Sequence, residues 1–205
     1  QNSDAPFVAA LSPVAWYRYQ QGLGTSTSGS TQVSSWLDQT LNANHFVQAT
    51  AGARPALQAD SSVRFDGISS FFNTSFTFNQ SATVYVLGKQ ITWTNNAFWF
   101  DGVGGARMGL TQSAATPSIR LFAGSSTGPN ANLPVDVYGV ISCVFNGTSS
   151  LTQVNNTAPV TGDCGAGNGG GLIIGSSNTF GFSNIEVKEI IAFPIAHGTT
   201  TRAAV

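Results

Sequence analysis

Along most of the chain, apolar and polar positions alternate with a period of two or gather in short apolar runs separated by turn-forming residues. The clearest run holds Val84, Tyr85, Val86, Leu87, Ile91 and Trp93, bounded by Asn79-Gln80-Ser81 and Asn95-Asn96. It is rich in the β-branched and aromatic side chains that suit a pleated surface. Comparable runs occupy 14–19, 63–66, 98–101, 119–123, 137–145, 172–175 and 185–193. Gly, Asn, Ser and Pro clusters between them supply turn dihedrals and side-chain-to-backbone hydrogen bonds. Longer loops are expected at 20–32, 102–106, 124–132 and 162–171. Many short strands with almost no 3.6-residue period predict an all-β, antiparallel two-sheet sandwich. The exception is the tail, 199–205, where a threonine can cap and Ala203 and Ala204 favour a short C-terminal helix. No repeat and no linker divides the chain. The reading is one domain over 14–205, preceded by an arm or edge segment over 1–13 that is uncharged apart from Asp4.

Composition narrows what such a sandwich can do. Only 8 Lys+Arg and 9 Asp+Glu occur in 205 residues, 8% of the chain, against about 25% in an average soluble domain. Polarity comes instead from 70 Ser, Thr, Asn and Gln side chains. A net charge of −1 with scattered arginines offers no basic surface for nucleic acid. The abundant aromatic and β-branched residues exclude disorder, and no apolar run is long enough to insert into a bilayer. Cys143 and Cys164 can close a loop as a disulfide, worth about 3 kcal/mol in the chain-entropy account, or stand as two buried thiols. The pair and the start at Gln1 point to an extracellular, secreted or virion-surface setting.

Several segments then follow one another in a telling order: Val14-Ala15-Trp16-Tyr17, Val33-Ser34-Ser35-Trp36-Leu37-Asp38-Gln39, Gln48-Ala49-Thr50 and Arg54-Pro55-Ala56-Leu57. Val63-Arg64-Phe65-Asp66-Gly67, Ile185-Glu186-Val187-Lys188-Glu189-Ile190-Ile191 and Arg202-Ala203-Ala204-Val205 complete the set. Together they resemble a concanavalin A-like, laminin G-like jelly-roll domain of the kind found in bacterial secreted and phage virion proteins. The family's Ser-Gly-Asn after Trp-x-Asp is replaced here by Thr40-Leu41-Asn42. These are scaffold motifs: Trp36 and Phe65 are expected in the core, Asp38 tied to turn amides, Asp66-Gly67 in a tight turn, and Arg54 or Arg64 paired with a carboxylate. The resemblance implies carbohydrate as ligand and leaves calcium open.

Polysaccharide-cleaving enzymes need two carboxylates facing each other. The chain's two glutamates, Glu186 and Glu189, share a predicted strand, and an offset of three sends them to opposite faces unless a β-bulge intervenes. No Gly-x-Ser-x-Gly elbow or zinc-finger spacing is present. For calcium, the candidate oxygen donors are Asp66, Asp101 and Asp163. For a glycan, amides and hydroxyls would meet sugar hydroxyls while aromatic faces meet the ring; Trp93 and Trp99 flanking Asn95 and Asn96 form the first candidate platform, and Tyr17 with Tyr19 the second. The expectation is a non-enzymatic adhesion or decoration module that binds a glycan or cell-surface polysaccharide. Two alternatives stand beside it: a structural subunit of a virion, fibre or filament assembled through edge strands, and a jelly-roll polysaccharide hydrolase or lyase.

Overall fold

The structure, a computed structural model, describes residues 5–25, 31–104, 107–178 and 180–205. Asp4 and parts of the predicted loops at 20–32 and 102–106 lie outside them. Two antiparallel sheets form the sandwich expected from the alternation. In the first sheet the strands run in the order Val160–Gly162, Ser150–Val154, Gly139–Phe145, Ala82–Gln90, Asn184–Phe193, Val63–Asp66 and Ala56–Leu57, and Ala15–Tyr17 also pairs with Asn184–Phe193. In the second the order is Asn130–Asn132, Ser118–Phe122, Gly109–Gln112, Phe98–Asp101, Leu172–Ile174, Phe72–Thr74, Phe46–Val47, Val33–Trp36 and Leu23–Thr25.

Period two decides what faces inward. Along Ala82–Gln90, the residues Ala82, Val84 and Val86 enter the core. Tyr85 joins a separate apolar cluster on the outer face, and Lys89 reaches acids there. Between the sheets, Tyr17 stacks on Phe46 at 3.9 Å and Phe46 on Phe72 at 5.8 Å. Trp36 and Phe65 are fully buried, as expected. Gly88 is required by close approach: a Cβ there would lie 2.8 Å from the Trp99 ring and 2.7 Å from the Glu186 carbonyl.

The scaffold motifs do what their chemistry suggests. Asp38 Oδ1 accepts from the backbone N–H of Trp16 and Thr40, and Oδ2 from the Thr40 hydroxyl and the Asn44 N–H. Thr40 thus keeps the turn closed. Asp66 accepts from the backbone N–H of Ile68, Ser69 and Ser70, and Gly67 follows with φ +75°.

Two helices lie on the outer face of the first sheet. α1, Ala5–Ala10, buries Val8 against the cluster of Trp16, Tyr85, Ile191 and Phe193. The described part of the N-terminal segment is therefore a docked helix, not an added edge strand. α2, Thr199–Ala204, is the C-terminal helix foreseen; its N-cap is Gly198 and no side chain caps it. No helix among the described residues is long and apolar enough to cross a membrane.

Candidate functional site

Strand Asn184–Phe193 carries the decisive irregularity. Val187 pairs with Gly88 and Glu189 with Leu87, so Lys188 is an extra residue, a bulge in the ladder with Ala82–Gln90. Ile185, Val187, Ile190 and Ala192 all enter the core, which leaves Glu186, Lys188 and Glu189 on the outer face together. The expectation that the two glutamates point to opposite faces is corrected by that one inserted residue. Their ladder partners, Lys89 and Leu87, are two residues apart. At about 3.4 Å per residue the glutamate α-carbons therefore lie roughly 7 Å apart along the strand. Two glycosidase carboxyl groups need about 5–10 Å between them.

A polar strip is built around this bulge, and it gathers both lysines and both glutamates of the chain. Lys89 Nζ lies 2.9 Å from Asp136 and 3.2 Å from Glu186, and Arg64 is 3.9 Å from Glu186 on the other side. Lys188 Nζ lies 3.0 Å from Asp60, 4.2 Å from the Tyr138 ring centre and 5.4 Å from that of Tyr19. The Tyr138 hydroxyl donates to Asp60 or Glu186, at 3.0 and 3.1 Å, and the Tyr19 hydroxyl donates to the Asp60 carbonyl. The Ser62 hydroxyl, aided by Lys188 and Tyr138, holds the Asp60 carboxyl well below the usual carboxylate range. Asp136 and Glu186 raise the Lys89 ammonium against the opposing effect of burial. Burial, with the two neighbouring acids, pushes the Tyr138 phenol up. Further along, the Trp16 indole N–H donates to Glu189 at 2.7 Å. Between the strip and the helices lies a hollow of about 110 Å³ lined by Val8, Trp16, Tyr85, Leu87, Glu189 and Val205 among others. It is too small for a sugar chain, so a ligand would lie on the open strip.

The aromatic platforms expected from the sequence are only partly assembled. Trp99 is fully buried between the sheets and Tyr17 is buried with its hydroxyl on the Asn44 carbonyl, so neither can present a face to a ligand. Trp93 is half-buried, its indole N–H spent on the Ser118 carbonyl, beside exposed Asn95 and Asn96. Tyr19 alone of the four aromatics joins the strip. Tyr138, Trp16, Lys89 and Lys188 were missed. The signal for them was the consecutive polar pair Lys188-Glu189 in an otherwise alternating strand, which reads as an insertion.

The calcium donors are dispersed and already engaged. Asp66 closes its own turn and Asp163 accepts from the Gly165 N–H. Asp101 is fully buried against Arg107 and Ser177. Among the described residues, no three of His, Cys, Asp and Glu are grouped to hold a metal ion. Cys143 and Cys164 are buried free thiols, not a disulfide, and burial raises both; they lend no support to an oxidising compartment. Arg54 donates to the carbonyls of Gln48 and Ala49, leaving Arg64 as the arginine of the two that meets a carboxylate.

No family model matches the chain, and no curated protein matches it in sequence. Solved structures do match in fold. A mutant of Trypanosoma rangeli sialidase displaying trans-sialidase activity superposes with TM-score 0.63 at 10% identity, over 91% of this chain and 31% of that one. A GH54 α-L-arabinofuranosidase gives TM-score 0.66 at 10% identity over 96% of this chain and 62% of its own. This chain thus spans about a third of the sialidase and less than two thirds of the arabinofuranosidase. At such identities the likeness is one of fold. It nevertheless corrects the expectation of a non-enzymatic chain, because a sandwich of this shape forms about a third of one enzyme and about three fifths of another. The argument from opposite-facing glutamates falls as well, since the bulge sets both on one face.

Proposed function

We propose that this chain is a carbohydrate-handling sandwich of the concanavalin A-like, laminin G-like type, working within a glycan-acting protein and taking its ligand on the polar strip of the first sheet. The carrying observation is concentration: a chain with 8% charged residues places both lysines and both glutamates on one face, between the rings of Tyr19 and Tyr138. Fixed donors and acceptors match sugar hydroxyls, and the half-buried tyrosine faces match the C–H surface of a ring. The named activities of the sialidase and the arabinofuranosidase lend support. The test is a glycan screen followed by titration of the best neutral oligosaccharide. Replacing Tyr19 and Tyr138 together by Ala should weaken binding about tenfold, at roughly 0.5–1.5 kcal/mol per aromatic contact. Unchanged affinity in that variant, or no binding to any glycan, would overturn the reading.

A second reading, glycoside hydrolysis by this chain, is favoured by the bulge. Glu186 and Glu189 would act as the acid and the base or nucleophile. Release of new reducing ends that disappears in both Glu186→Gln and Glu189→Gln would support it. Release that persists in either variant, or none from any substrate bound, would exclude it.

A further inference from the structure

The second sheet carries a hollow of its own, on the face turned away from the core. About 320 Å³ in volume, it is lined by Phe98, Arg107, Thr111, Arg120, Phe122 and Phe180, with Asn96 at its edge. That is the scale of small-ligand sites. Arg120 stands opposite Thr111 in the ladder, and Gly109 opposite Phe122.

The two arginines are held differently. Arg107 Nε lies 2.9 Å from Asp101 Oδ2, in ion-pair contact without hydrogen-bond geometry, and its guanidinium stacks near Phe122, Phe98 and Phe180 at 4.6, 5.0 and 5.9 Å. Arg120 meets no acid among the described residues. One terminal nitrogen donates to the Ser126 carbonyl at 2.7 Å, and among the described residues its buried Nε has no hydrogen-bond partner. Burial lowers its pKa, so the site bears the cost of desolvating that charge. A purely structural arginine in this chain looks otherwise: Arg54 spends Nε and a terminal nitrogen on two carbonyls at 2.9 and 2.8 Å. Asp101 offsets one cation, which leaves the hollow one positive charge in excess.

We propose that this hollow binds the anionic group of an acidic saccharide, with the arginine fork of Arg120 on the carboxylate or sulfate, and Phe122 and Phe180 against the sugar ring. A guanidinium that meets no acid and spends one terminal nitrogen on a carbonyl keeps its other terminal nitrogen as a donor that an oxyanion accepts. Phe180, 53% exposed, is an apolar face awaiting cover. Thr111 and Asn96 supply the neutral groups a ring's hydroxyls need. The site lies on the opposite sheet from the strip and does not depend on it.

The test is calorimetric titration of the whole chain with galacturonic acid oligomers, a 6-sulfated galactose oligomer and the neutral galactose oligomer. One or both acidic ligands should bind at least tenfold more tightly than the neutral one, with an advantage that shrinks as salt rises; which of them binds better identifies the anion. Arg120→Gln should remove that advantage and Arg120→Lys should keep part of it, while Phe180→Ala should weaken it several-fold. Circular dichroism melts confirm that each variant folds. The Tyr19 and Tyr138 double variant should leave acidic binding unchanged, which separates this site from the strip. Equal affinity for acidic and neutral ligands, or an unchanged advantage in Arg120→Gln, would overturn the proposal.

Discussion

The outer face of the first sheet sets Lys89, Lys188 and Arg64 against Glu186, Asp60 and Asp136, whereas the hollow on the second sets Arg107 and Arg120 against Asp101 alone. The acids differ as much as the balance. Asp136 and Asp60 have side chains 73% and 44% exposed, while the Asp101 side chain is fully buried. On the first face Asp60 and Asp136 meet their lysines at the water surface, so those two pairs contribute little, while Glu186, its side chain 9% exposed, is shared between Lys89 and Arg64. On the second a single buried acid organises its surroundings, and the arginine left over is a charge that binding can use. Charge count alone says little; burial and pairing decide what each charge does.

The largest effect is expected from removing the buried acid. Asp101 accepts from the Ser177 hydroxyl at 2.6 Å and the Gly102 N–H at 2.8 Å, besides Arg107. Asp101→Ala leaves those donors without a partner and should cost about 3–5 kcal/mol in urea unfolding. Burial raises the Asp101 carboxyl above its ordinary value. With a folded pKa above the unfolded one, its contribution is fullest below about pH 4 and is lost as pH rises through the folded value. Asp60, held low, has the opposite sign: its contribution is present above about pH 4 and is lost as pH falls.

A smaller effect is expected at the apolar end of the first face. His197 Nδ1 meets the Tyr85 hydroxyl at 2.9 Å, its ring packs on Phe193 at 4.4 Å, and the Arg202 side chain donates to its carbonyl. Burial, with the Arg202 charge, lowers its pKa. A folded pKa below the unfolded one means stability that is present above about pH 6.5 and lost as pH falls through the folded value. Unfolding midpoints in urea should therefore drop as pH is taken from 7 to 5, and His197→Phe should flatten that slope. An equal slope in the variant would place the titration elsewhere.

Much of the fold was legible because it rests on local alternation and turn chemistry. Val84 and Val86 inward, Trp36 and Phe65 in the core, and Asp38 on turn amides all follow from residues within a strand or a turn. The binding surfaces were less legible because they are made across the sheet. Lys188 meets Asp60 from a strand that only the fold brings near, and Trp99 is buried because Gly88 on the opposite sheet makes room for its ring. Trp93 and Trp99 look alike in sequence, yet only the second finds such a gap. The bulge lay between. Two adjacent polar residues, Lys188 and Glu189, between Val187 and Ile190 signal an inserted residue, but the face each glutamate takes depends on which partner absorbs it.

The least consequential change should be Asp136→Asn, and its smallness is what makes it informative. Asp136 lies 2.9 Å from Lys89, a distance that on its own suggests a strong pair. The acid side chain is 73% exposed, however, and Lys89 keeps Glu186 at 3.2 Å when Asp136 is neutral. Water and salt screen what is removed, and no buried group is left without a partner. The loss should be at most about 0.5 kcal/mol, roughly a tenth to a sixth of the cost expected for Asp101→Ala. Urea unfolding of the two variants side by side measures both. A loss above 1 kcal/mol at Asp136 would mean that the strip acts as one coupled network, and the contrast between a self-balanced face and a single organising acid would have to be given up.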